Sequence, residues 1–80
     1  MPDAQRIQIE FDGAAYTLTP ELAADIKRHY LRAKQTPKSA QPGVAVGQQW
    51  MLLQLIQSAG IPILTNDEAM SIGARVAQAE

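Results

Sequence analysis

An 80-residue chain with a formal net charge of −1 and a pI near 5.7 excludes a generally basic nucleic-acid binder and a chain held open by self-repulsion. At this length one domain forms and removes only roughly 60–65% of its unfolded surface from water, so the core is small. Cysteine is absent, which excludes disulfides and thiolate metal sites. The 46% hydrophobic content, mostly aliphatic, suffices for a compact core and equally for a protomer that completes its core in a homodimer.

Met1 to Gln5 have neither a basic n-region nor an apolar h-region, and no apolar run approaches a bilayer span. The reading is a disordered N-terminus on a cytoplasmic protein. From Arg6 the pattern alternates, with Ile7, Ile9 and Phe11 on one side of a strand. Asp12-Gly13 then suits a two-residue type I′ turn. That turn pairs Phe11 with Ala14, Ile9 with Tyr16 and Ile7 with Leu18, which puts six apolar side chains on one face.

Thr19-Pro20-Glu21 reads as a helix start: a hydroxyl acceptor at the N-cap, a proline where no N–H is needed, and an acid in the positive first turn. The helix is predicted to reach about Lys34. Its buried stripe is Leu22, Ile26, Tyr30 and Ala33, with His29 at the edge and Lys27, Arg28 and Lys34 pointing away. Leu31 and Ala24 fall among the charges, which predicts an apolar side chain in water.

Residues 35–43 contain two prolines and no periodicity and read as a flexible surface loop. A second helix is predicted to start between Val44 and Gln48 and to end at Gly60. It holds the most apolar run of the chain, Trp50 to Ile56. Leu52, Leu53, Leu55, Ile56 and Ala59 cover one side, opposite Gln54, Gln57 and Ser58. Trp50 falls with the glutamines, either folded back as a lid on the core or exposed. Residues 61–64 are an extended connector or a short third strand. Thr65 to Glu68 matches a capping box opening a third helix, on which Ala69, Gly73 and Ala77 recur every four residues and permit close helix packing. The expected fold is α+β, an antiparallel β-hairpin packed on three helices in the order β-β-α-α-α.

The chain offers little conventional chemistry. His29 is the only histidine, with Asp25 one turn away to orient it. No serine or threonine sits in a nucleophile motif, and two potential ligands are too few for zinc. Glu21, Asp25, Asp67 and Glu68 all lie near helix starts, where the macrodipole explains them. Pro42 to Gly47 leads towards a helix N-terminus but lacks the lysine and hydroxyl of a phosphate-binding loop. A helix-turn-helix is excluded because the would-be recognition helix opens with Asp67 and Glu68, which repel phosphates. The expectation is no enzyme, no cofactor and no metal.

Five of the seven Lys and Arg residues lie between Lys27 and Lys38. These cations satisfy the C-terminal end of a helix dipole, and they also form a basic patch. Lys27, Arg28, Leu31, Arg32, Lys34, Lys38 and Trp50 are therefore the expected partner-binding set, since exposed apolar groups among charges anchor interfaces. The expected partner is a larger protein or nucleoprotein; the alternative is a nucleic-acid regulator using residues 27–38, with Tyr30 as the lone aromatic there. In size and general character the chain resembles the compact inhibitors of phages and other mobile elements, anti-CRISPR proteins included. That resemblance implies a protein that blocks a surface on its target.

Overall fold

The Asp-Gly turn organises the start of the fold. In a computed structural model, which describes residues 6–36 and 42–79, Asp12 and Gly13 both have positive φ, 53° and 81°. That is the type I′ geometry, whose twist matches the flanking strands. Strand β1 (Ile7–Phe11) pairs with β2 (Ala14–Leu18) in the expected register, Ile7 with Leu18, Ile9 with Tyr16 and Phe11 with Ala14. The shared face is buried unevenly. Ile9 and Leu18 are core, Ile7, Phe11 and Tyr16 are half-buried, and Ala14 is exposed because the turn end reaches past the helices.

Helix α1 (Pro20–Gln35) opens as its sequence specifies, with the Thr19 hydroxyl accepting from the N–H of Leu22. Its buried side is centred on Ala23, Ile26 and Ala33 rather than on the larger residues of the expected stripe; Leu22 and Tyr30 are half-buried. Helix α1 packs tightly on its neighbours. At Gly73 of helix α3 (Asn66–Ala79) that closeness is measurable: a Cβ there would lie 3.0 Å from Tyr30 Cβ. Of the spaced small residues on α3, Gly73 thus serves the α1–α3 contact.

Helix α2 (Pro42–Ser58) corrects the expectation of a long loop. Residues 42 and 43, assigned to a loop over 35–43, are helical, as is Gln35 at the end of α1; 37–41 lie outside the described residues, as do 1–5. Two causes offset the low helix propensity of Gly-Val-Ala-Val-Gly. Pro42 is the first helical residue, where its missing N–H costs nothing, and Ala45 is wholly buried and ties the first turn to the core. The other end is as expected. Amide N–H groups of Ala59 and Gly60 donate to Ile56 and Gln57 carbonyls, and Gly60 takes a φ of 92° that side chains resist.

The segment after Gly60 is the connector of the two alternatives, not a third strand; among the described residues the sheet has two strands. It still alternates. Ile61 and Ile63 are fully buried and Pro62 and Leu64 face out, while Gln57 Nε2 donates to the Ile63 carbonyl at 2.7 Å in place of a ladder partner. The capping box then closes in both directions: Glu68 N–H donates to Thr65 Oγ1 (3.1 Å), and Glu68 Oε1 accepts from the N–H groups of Leu64 (2.9 Å) and Thr65 (3.1 Å). All three helices contact one another, and β1 lies on α3. The core joins Ile9 and Leu18 of the hairpin to Ile26, Leu52, Ile56, Ile61, Ile63, Ile72 and Val76. No helix among the described residues is long and apolar enough to cross a membrane.

Candidate functional site

Two outward surfaces hold the residues singled out from the sequence. The first is the exposed side of α1. Amphipathic spacing turns Ile26 and Ala33 inward, and the intervening positions, Ala24, Arg28, Leu31, Arg32, Lys34 and Gln35, are exposed, with Lys27 half-buried beside them. Leu31 is 39% exposed at the middle of this group, as predicted. Four cations surround one apolar side chain.

Those cations are not equally available. Arg28 Nη2 donates to Asp25 Oδ1 in an exposed pair, and such pairs are each worth only about 0.3–0.5 kcal/mol. Asp25 therefore engages Arg28, and among the described residues no hydrogen bond joins it to His29. Lys34 Nζ stands 5.9 Å from the Tyr30 ring centroid, at the outer limit of a cation–π contact. Lys27, Arg32 and Lys34 have no salt-bridge partner among the described residues. Lys38 lies outside the described residues.

The second surface is the exposed side of α2, and Trp50 belongs to it. At 52% exposure Trp50 does not act as a lid on the core. At 100° per residue Gly43, Gly47, Trp50 and Gln54 follow one another down the outward side. Val46 and Gln57 lie on one flank, Met51 and Val44 on the other. Val44, Val46 and Met51 are each about half exposed. The structure thus separates Trp50 from the α1 group by helix and by chemistry: the neighbours of Leu31 on its helix are charged, and those of Trp50 on its own are neutral. The sequence carried a signal for this surface that side-by-side wheels miss, because no charged residue occurs from Ser39 to Asn66. A helix apolar nearly all round is usually covered all round.

Neither surface assembles reactive groups. His29 is half-buried, and among the described residues no cluster of three metal-ligating side chains exists. The Pro42–Gly47 segment is the first turn and a half of α2 itself, not a loop leading into it. Among the described residues Glu68 has a clearly displaced pKa. The N–H of Leu64 chiefly lowers its pKa below the ordinary glutamate value, partial desolvation opposes this, and the hydroxyl and N–H of Thr65 add to the lowering. That is a capping effect. Comparison with protein families, with characterised proteins and with solved structures finds no match to this chain. The class that fold and surface define is a small α+β domain, a hairpin on three helices.

Proposed function

We propose that this domain is a non-enzymatic binding module that acts in the cytoplasm by occupying an acidic surface on a larger protein. The observation that supports this is Leu31, exposed and ringed by Lys27, Arg28, Arg32 and Lys34 on the outward side of α1. An apolar anchor among free cations fits an acidic rim around a shallow apolar recess, with the charges steering approach and the leucine supplying desolvated contact. Occupying a target surface in this way is inhibition of the kind carried out by small phage and mobile-element proteins, which the chain resembles in size and character. The same cations suit a phosphate backbone, and a nucleic acid is the competing occupant. Against it stands the lack of an exposed aromatic among the α1 charges, since Tyr30 is half-buried against Gly73.

The test compares capture by the full chain with capture by Leu31→Ala and Arg32→Glu. A specific protein partner is expected, with capture reduced at least tenfold by either change and the thermal midpoint within about 4 °C of wild type, since exposed substitutions rarely move stability by more than about 0.5 kcal/mol. Capture that disappears on nuclease treatment, or that Arg32→Glu abolishes and Leu31→Ala leaves intact, gives the surface to nucleic acid. Capture indifferent to both changes removes α1 from function.

A further inference from the structure

We infer that the outward side of α2 is where two copies of this chain associate, antiparallel, with Trp50 of each seated over Gly47 of the other. The helix is short of what a monomer needs on its wet side. Of its 17 residues none is charged, and its exposed positions are Val44, Val46, Trp50, Met51, two glycines, two glutamines, Pro42 and Ser58. Trp50, Met51, Val44 and Val46, each about half exposed, present on the order of 400 Å², the size of the largest apolar patch on a typical monomer, which is often a functional one. That is about half of the roughly 800 Å² per partner of a stable interface, and the glycine backbone and glutamines between them lie on the same surface.

Charge and shape both select a second copy as the occupant. A two-fold interface sets a surface against itself, so any cluster of one sign repels its own image; the α1 side, with four cations, does so and the α2 side does not. Shape then fixes direction. Gly43 and Gly47 have open space where a Cβ would stand, so α2 has a recess one to two turns before its largest outward side chain. In a parallel pair Trp50 meets Trp50 and props the helices apart over both glycines. In an antiparallel pair Trp50 meets the Gly47 recess, Gln54 meets Gly43, and Val46 and Met51 close the two sides. Antiparallel alignment also sets the helix macrodipoles favourably. The inference uses no residue of the α1 surface and stands or falls separately from the proposed function.

The experiment measures the mass of the full chain in solution from about 1 μM to about 1 mM, spanning weak to moderate association, with Trp50 emission read alongside. The expected result is a rise from 8.7 kDa to twice that value, with emission moving to shorter wavelength over the same range. Gly47→Leu fills the recess at a position with room for a side chain and better helix propensity, so it leaves the fold intact and yields a monomer throughout. Trp50→Gln weakens association at least tenfold. Because the chain has no cysteine, direction is read by mixing Gly43→Cys with Gln54→Cys chains: the mixed disulfide forms and neither chain links to itself. A monomer at every concentration, a dimer untouched by Gly47→Leu, or self-linked Gly43→Cys each overturns the inference. So does a monomer whose Trp50 emission shifts only when a different protein is added.

Discussion

The outward sides of α1 and α2 are built from the same backbone geometry and carry different chemistry. On α1 the positions that face away from the core hold Arg28, Arg32, Lys34 and Gln35, side chains that water solvates, and a single leucine stands out among them. On α2 the corresponding positions hold valine, glycine, tryptophan, methionine and glutamine, without a charge. The inner sides differ as well: α1 buries Ala23, Ile26 and Ala33, and α2 buries Ala45, Gln49, Leu52, Leu53 and Ile56. The lesson is that exposure of one apolar residue is ordinary, whereas a whole helix side without charge is a contrast that the solution mass can test.

The contrast is broken most forcefully from the inside of α2. Leu52 is fully buried, and Leu52→Ala should cost about 2–5 kcal/mol, much of the stability a domain of this size has. Urea denaturation should show it largely unfolded or with its midpoint far lower. A loss below about 1 kcal/mol would mean that the inner side of α2 is loosely held and that its outer side is no more distinctive. The next largest effect concerns the inner side of α1. Gly73→Ala places a methyl at 3.0 Å from Tyr30 Cβ and Cδ1, at the root of the side chain where the ring cannot swing clear. Overpacking of about 1–3 kcal/mol then exceeds the gain of about 1 kcal/mol in helix propensity, and the thermal midpoint falls. An unchanged or higher midpoint would show that α1 moves freely on α3 and that the α1 surface is not rigidly presented.

The smallest effect touches neither outward side and serves as their control. Glu68 has its pKa lowered in the folded protein, so its carboxylate stabilises the fold fully at neutral pH. That contribution fades as pH falls from the ordinary glutamate value through the lowered native one. Glu68→Gln should lower the midpoint at pH 7 and flatten its decline across that acid window, with solution mass and target capture unchanged. Parallel declines for the two proteins would remove the cap from the account of stability.

The elements most legible in the sequence were those with two independent local signals. Asp12-Gly13 and the alternation on either side agreed on one register, and Thr65 with Glu68 specified a reciprocal cap that the structure closes atom for atom. The start of α2 was not legible. Gly43 and Gly47 each cost helix propensity, and what holds the turn is Ala45 in the core, a tertiary contact with no local trace. Leu31 could be placed in water because α1 has a polar side to define the direction. Trp50 could not, because a helix apolar on nearly every side gives a wheel no preferred face. The partner of Asp25 was open for a related reason: His29 at four residues and Arg28 at three both lie within reach, and the permanent charge of the guanidinium favours Arg28.

A two-stranded ribbon has two open edges, each a row of unpaired amides able to recruit a strand from another molecule. In the hairpin register Phe11 and Ile9 spend their backbone groups on β2, which leaves Glu10 pointing its carbonyl outward from β1. Arg75 of α3 reaches across 65 residues of sequence and donates Nη1 to that carbonyl at 2.7 Å. The guanidinium caps an acceptor and plants a bulky cation on the rim where an incoming strand would lie. The fold thereby guards β1 against sheet extension at Glu10.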